Sequence, residues 1–403
     1  MHQPCVSASR ISPDTVKRVL VIYEGAAGEA SDELEGATPL ALARSIRASA
    51  LATRGVTGAL FWGPETVADR TEAALAVLLG ADPVEARNLR RGPVEAAAVA
   101  GPGTGWTYAY RGNLVATDGI EVRESRVGGL SLDETKWLGE ALSEPMREAG
   151  ARVLVTDAGR LVVTLDRLTG AVDPGPFPEV GSMLEPPHQR KPTDRQRLMA
   201  RAAEVLSGAS LNEVRVDLGE NPANGLWLWS GGPPVSVAKP WPVSVEKPVL
   251  VTNSPLARGL ASLWGTPVLP LGDVWSEAGT PELIGAEDLF QALLRHDLVV
   301  VYVEAPFEGG RFGGGVEQVK ALDRLDIHVL GRVLEVLDRL GDNHRIMVAA
   351  LPSDGVWLEH TPVVLAGRGI TPDPVARWEE TSCMEGALGR VSARRCLAQI
   401  AGD

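Results

Sequence analysis

Residues 297–326 read DLVVVYVEAPFEGGRFGGGVEQVKALDRLD, and the order of their parts decides the fold class. The stretch opens on a continuous apolar run, 298–303, rich in β-branched residues. Such a run suits a strand buried on both faces of a parallel sheet. It closes with Val316, Val319, Leu322 and Leu325, continued by Val329, which is helical spacing. Between them stand Gly309, Gly310, Gly313, Gly314 and Gly315, which predict a loop. Strand, glycine-rich loop and helix in that order put the loop at the carboxyl edge of the sheet, where open α/β sheets take their ligands. The side chains carried there are Phe307, Glu308, Arg311 and Phe312. Arg311 reads two ways: a fork for a phosphate or carboxylate, or a surface pair with Glu308 beside apolar packing.

Strand–helix alternation continues on both sides of this stretch. Before it, VLVIY at 19–23 predicts a buried strand that ends in a small-residue turn, 24–28. A helix is expected over 40–54, capped by Thr38 and opened by Pro39. Further helices are expected at 72–79 and 93–99. After it, RIMVAAL at 345–351 predicts another central strand, and 363–366 a short one. The middle of the chain differs. Residues 106–116 and 224–232 alternate as strands do, 153–166 reads as a hairpin turned at Ala158-Gly159, and proline recurs between them. The expected architecture is α/β, a mostly parallel sheet flanked by helices with an inserted α+β domain. The core domain would span 1–119 and 269–403, the insertion 120–268. A cleft between two such domains is a natural small-molecule site.

Composition narrows the function classes. Hydrophobic residues make up 44% and charged residues 23% of the 403-residue chain, as in ordinary globular proteins. The net charge of −13 argues against nucleic acid and anionic membrane surfaces as partners. Cys5, Cys383 and Cys396 form no CxxC pair, so reduced thiols are expected. The first residues lack an apolar signal segment, and no apolar run reaches membrane-spanning length. A cytoplasmic protein is the expectation.

Several words in this chain resemble the archaeal type of cofactor-independent phosphoglycerate mutase, of the alkaline-phosphatase-like superfamily. They are VLVIYEGAAGE, GATPLALA, LLGADP, RRGPVEAAAVAG, YRGNLVATDG, PPHQRKP, NGLWLWSGG, DLVVVYVEAPFEGGRFGGG, VKALDRLD and RIMVAALPSDGVWLEHTPVVLAG. Their order and spacing follow the family along nearly the whole chain. The resemblance implies an alkaline-phosphatase-like core with an inserted domain, and two divalent metals, usually manganese or zinc. It also implies a hydroxyl nucleophile that carries a phosphoryl group between two glycerate oxygens. Two cations about 4 Å apart serve such a transfer by lowering a hydroxyl pKa and neutralising phosphoryl charge.

Carried over by position, the resemblance places metal ligands at Glu24, Asp354 and His360 and the nucleophile at Thr71. It places substrate-binding residues at Arg111 and Asn113; Arg311, read from its own side chain, is expected as a further substrate clamp. The family's D-E-x-G-H metal word here reads Phe307-Glu308-Gly309-Gly310-Arg311. Phenylalanine has no donor atom and arginine stays protonated, so fewer than two ions are expected. The substrate expected is a small phosphorylated acid. A second reading is a homologue that binds such an acid without turnover, or with one metal. Single residues stay open as well: Thr71 as a helix cap, His360 as a hydrogen-bonded histidine, Arg111 as an interdomain salt bridge. Trp227 and Trp229 share one face of their strand and are expected to pack in the insertion. His188 is expected to be structural or near the hinge.

Overall fold

The computed structural model describes residues 16–62, 70–102, 105–170, 173–184, 192–273, 282–352 and 358–402. In chain order, β1 (Lys17–Ala27) leads to α1 (Pro39–Leu42), α2 (Ile46–Ala52), β2 (Gly55–Phe61), α3 (Thr71–Leu78), α4 (Pro83–Ala86) and α5 (Arg91–Val99). Next come β3 (Tyr108–Thr117), β4 (Val122–Glu124), α6 (Leu132–Glu148), β5 (Ala151–Asp157), β6 (Arg160–Leu165), α7 (Asp194–Ser207), α8 (Ser210–Asp217) and β7 (Gly225–Gly232). The chain then forms β8 (Pro248–Val251), α9 (Pro255–Trp264), β9 (Val268–Leu269), β10 (Gly272–Asp273), β11 (Glu282–Leu283), α10 (Ala286–Arg295), β12 (Leu298–Val303) and α11 (Ala305–Arg324). It ends with α12 (Gly331–Leu340), β13 (His344–Pro352), β14 (His360–Gly367), α13 (Glu380–Cys383), β15 (Gly389–Ser392) and α14 (Cys396–Ala401).

These elements fall into two compact units. The first holds an eight-stranded sheet in the order β15-β2-β14-β13-β1-β12-β8-β9. All its pairings are parallel except those of β14, which runs against both β13 and β2. All six residues of β12 are buried, as the unbroken apolar run requires of a strand with helices on both faces. The second unit holds the antiparallel sheet β4-β3-β6-β5, with β7 added on β3. Its core gathers Leu114, Leu161, Val163, Leu226 and Leu228 with Leu138 and Leu142 of α6 and Leu198 and Ala202 of α7.

The units divide the chain as 1–87, 238–257 and 266–403 against 88–237 and 258–265. These limits differ from the expected 119/120 and 268/269. Strand β3 pairs with β6 and β7 and so goes with the second sheet.

Two local expectations are corrected. The helix expected over 40–54 is two helices, because Ala43 is extended and Ser45 is left-handed at φ 36°. Carboxylates from far along the chain take the N–H groups exposed at the break: Asp323 from Arg44 (2.8 Å) and Asp326 from Ala48 (2.9 Å). The glycine stretch expected as a loop is helical from Ala305 onward, with a single break at Gly314 (φ 82°, ψ −179°). Glu33 accepts from the Gly315 N–H at 2.9 Å and so caps the helical part that follows the break.

Candidate functional site

In the first unit the parallel strands bring their carboxyl ends to one edge. Glu24 lies near that end of β1 and is fully buried. Its carboxylate accepts the hydroxyl proton of Tyr302, near the end of the neighbouring β12. Beyond β12, the strand β8 ends close to Thr252 and Ser254. The Thr252 hydroxyl donates to the Tyr302 carbonyl at 2.9 Å and accepts the Ser254 N–H at 3.0 Å. Ser254 in turn donates its hydroxyl proton to Glu304, the residue between β12 and α11. A row of two carboxylates and three hydroxyls therefore crosses the ends of β1, β12 and β8.

His360 reaches the same edge by a different route. Strand β14 is antiparallel, so its first residue is level with the last residue of β2, and His360 pairs with Phe61. The imidazole tilts against the Phe61 ring with centroids 5.5 Å apart. Among the described residues its buried Nε2 has no hydrogen-bond partner, and a carboxylate oxygen of Glu359 is 3.9 Å away. Between Glu24 and His360 stands β13, so their strands are two sheet spacings apart, roughly 10 Å.

Thr71 is buried at the first turn of α3, a helix that follows β2 and packs on β13. The cap position itself is Arg70, so the cap reading of Thr71 is displaced by one residue. The two described thiols are poor alternatives as nucleophiles: burial pushes the pKa of Cys383 and of Cys396 up to about 12.

Of the remaining expected residues in this unit, Asp354 lies outside the described residues, as does Ser353. Phe307 and Arg311 lie in α11, with main chain but not side chains among the described parts. Among the described residues no three His, Cys, Asp or Glu gather in the way a metal ion needs. With Phe307 and Arg311 in the metal word, the donors present do not suit a pair of ions. The Glu24 carboxylate accepts from Tyr302 on β12, whereas His360 lies beyond β13 on the other side of β1, and no described contact joins the two.

Arg111 and Asn113 come together in the second unit, on the same face of β3. Arg111 Nε donates to Asn113 Oδ1 at 3.4 Å, and Trp229 Nε1 donates to the same oxygen at 3.2 Å. The Asn113 amide donates to the Ser125 carbonyl at 3.3 Å, which orients the group. Arg111 Nη1 pairs with Glu95 of α5, an ion pair inside the second unit. Arg91 Nε is 3.6 Å from the same Glu95 oxygen. Both guanidinium carbons lie beside the Trp229 ring, at 5.6 Å for Arg111 and 6.0 Å for Arg91. Trp227 and Trp229 are core residues, as expected of them. His188 lies outside the described residues.

Sequence reasoning missed Tyr302, Ser254, Glu304, Glu95 and Arg91. Tyr302 was hidden inside an apolar run, where its hydroxyl gives no periodic signal. Glu95 and Arg91 are four residues apart on a helix and look like an ordinary surface pair until burial is known.

No family model matches this chain. Curated relatives do match it. A protein of Methanothermobacter thermautotrophicus named 2,3-bisphosphoglycerate-independent phosphoglycerate mutase 2 is 28% identical over 95% of this chain and 96% of its own length. A protein of Methanothrix thermoacetophila, named 2,3-bisphosphoglycerate-independent phosphoglycerate mutase, is 28% identical over 93% and 97%. Among solved structures, a Pyrococcus horikoshii protein superposes with a TM-score of 0.66 at 20% identity, covering 96% of this chain and 97% of that one. The cofactor-independent phosphoglycerate mutase of Thermoplasma acidophilum gives a TM-score of 0.54 at 22% identity, covering 96% and 99%. The chain is a relative, over nearly its whole length, of the archaeal-type cofactor-independent phosphoglycerate mutases.

Proposed function

We propose that this protein is a phosphotransferase that interconverts 2-phosphoglycerate and 3-phosphoglycerate without 2,3-bisphosphoglycerate. One finding carries the reading: the match to relatives of that name spans 95% of this chain, so it takes in both units. The substrate is then a small phosphorylated acid. Arg111 and Asn113 bind its oxyanion, with Arg311 as a further clamp. A guanidinium fork matches the geometry of a carboxylate or phosphate.

Thr71 is the residue proposed to carry the phosphoryl group. Its hydroxyl oxygen forms a new bond to phosphorus as the bond to one glycerate oxygen breaks, and the proton given up by the threonine hydroxyl ends on that glycerate oxygen. The reverse exchange then delivers the group to the other glycerate oxygen. Glu24, Asp354 and His360 would hold one divalent ion, manganese or zinc, in place of the family's two. When bound, such an ion lowers a hydroxyl pKa and offsets phosphoryl charge. His360 would offer it an imidazole nitrogen, and the Tyr302 hydroxyl holds the Glu24 carboxylate by a hydrogen bond. No described helix is long and apolar enough to cross a membrane, which agrees with work in the cytoplasm on a soluble metabolite.

The test is direct. The purified protein is incubated with 3-phosphoglycerate and manganese, without 2,3-bisphosphoglycerate, and phosphorus NMR follows the products. Formation of 2-phosphoglycerate is expected. Absence of that product while 3-phosphoglycerate still binds would replace this reading with a non-catalytic binder of the same acid.

A further inference from the structure

We infer that Gln318 is a positioning residue: its side-chain amide holds the Gly25 carbonyl in a bulge of β1 and so sets where the neighbouring Glu24 carboxylate lies at the carboxyl edge of the sheet. The inference rests on the proposed function in one respect, because it takes Glu24 as a residue of the site. It adds a residue of α11, 293 positions further along the chain, that acts through Glu24.

Strand β1 leaves its ladders at this point. Its pairing with β12 ends at Tyr23 and Val303. On the other side Tyr23 pairs with Ala350 and Ala27 with Pro352, so four steps along β1 answer two along β13. Glu24, Gly25 and Ala26 therefore bulge out of register, a device that re-aims side chains near active sites. Gly25 takes the left-handed backbone that the bulge needs, at φ 70°. The whole segment 24–26 is buried, so a carbonyl turned out of the ladder must find another donor. Gln318 Nε2 supplies it at 2.5 Å. Gln318 is itself buried, and it lies in the part of α11 that follows the break at Gly314 and is capped by Glu33. Its side chain passes over Gly310, before the break: a methyl group on that glycine would stand 3.0 Å from Gln318 Oε1 and 3.1 Å from its Cδ. The amide occupies the room that glycine leaves. Further along the same segment, Glu380 accepts the Gly28 N–H at 3.4 Å. Glu24 is thus held twice, its main chain by Gln318 through Gly25 and its side chain by the Tyr302 hydroxyl.

Gln318→Met keeps the length of the side chain and removes the donor. In the mutase reaction its kcat should fall about tenfold or more, while the KM for 3-phosphoglycerate stays within about twofold. Gln318→Lys still carries a donor that reaches the same carbonyl, and it should recover most of the lost kcat. A residue that merely supported the fold would leave the kcat of the folded protein unchanged, and that result overturns the inference. So does a lysine variant no more active than the methionine one. If Gln318→Met does not fold, Gly310→Ala decides, because its methyl presses on the amide from the other side. Its kcat should fall about threefold or more at an unchanged KM. An unchanged kcat there overturns the inference. The outcome is separable from that of the proposed function. If the wild-type protein shows no turnover, urea unfolding of Gln318→Met, Tyr302→Phe and the double variant gives the answer. Both residues act on Glu24, so their effects on the unfolding constant should depart from additivity by about fivefold. Additive effects overturn the inference whether or not the protein is a mutase.

Discussion

The carboxylate of Asp326 accepts the main-chain N–H of Ala48 at 2.9 Å, across 278 positions of sequence. The neighbouring N–H of Arg47 reaches both oxygens of the same carboxylate, at 2.9 Å and 3.0 Å. Ser45, at the cap position of α2, makes no capping bond of its own, so a residue of the π-helical turn Leu325–Leu330 caps this helix from outside. Asp326→Ala strips those donors of their partner at a buried place and should cost about 2–3 kcal/mol. Asp326→Asn retains one acceptor oxygen and should cost about 1 kcal/mol. Urea unfolding of the two variants checks both the size and the order.

Gly314 interrupts α11 at φ 82°, and a methyl group there would stand 2.5 Å from a carboxylate oxygen of Glu33. Gly314→Ala therefore meets backbone strain and a steric conflict with the group that caps the next turn. A loss of about 1–3 kcal/mol is expected. Moving the glycine is the control: Gly36→Ala also has positive φ (80°), but its new methyl meets nothing within 4 Å, so its loss should be smaller.

The Tyr302 hydroxyl donates a hydrogen bond to the buried Glu24 carboxylate. Tyr302→Phe takes away that donor and should destabilise the fold by about 1–3 kcal/mol. Adding Glu24→Gln to it replaces a buried charge by a neutral amide and should recover part of the loss. A double-mutant cycle in urea is expected to give a coupling between the two residues of about 0.5–3 kcal/mol. A coupling of zero would mean that the hydroxyl and the carboxylate act independently.

Two carboxyl groups shape the pH dependence in opposite senses. For Asp373, burial by itself would raise the pKa. The N–H groups of Thr57, Ala387 and Val375 and the Thr57 hydroxyl outweigh it and bring the group below its ordinary 3.8. A depressed pKa contributes stability above the unfolded value, which is lost as pH falls through the folded one. For Glu380, burial raises the pKa above its ordinary 4.5, against the opposing hydrogen bonds from Thr38 and Gly28. Its contribution is complete below 4.5 and fades as pH rises through the folded value. Asp373→Asn should flatten the acid limb of a plot of urea midpoint against pH, and Glu380→Gln the limb above it. Swapped effects would refute the assignment.

Thr71 offers the sharpest test of chemistry. Thr71→Ser keeps a hydroxyl and should keep measurable mutase turnover. Thr71→Ala removes it and should lower turnover by roughly three orders of magnitude or more. Equal activity of the two variants would remove Thr71 from the mechanism. Far-ultraviolet dichroism checks that both variants keep the helix.

The sequence was legible wherever one element could be judged by itself. The run at 298–303 is a central strand, residues 153–166 form the expected hairpin, and Thr38 caps a helix that begins at Pro39. Strand β2 was overlooked, since GVTGALF has two glycines and little alternation, and it gains its place only between β14 and β15. The same limit explains the misread helix over 40–54. Its periodicity is sound, but Asp323 and Asp326 offer the backbone better partners at Arg44, Arg47 and Ala48.

By itself the sequence determined the α/β class, the strand-rich middle and the family resemblance, because apolar periodicity and word order are local properties that survive without a structure. Only the tertiary structure decided that Tyr302 answers Glu24, that His360 reaches the strand ends through an antiparallel β14, and that Arg91 and Arg111 share Glu95. Those pairings join residues on different elements. Burial and partner choice depend on how strands and helices meet, which no short window of sequence records.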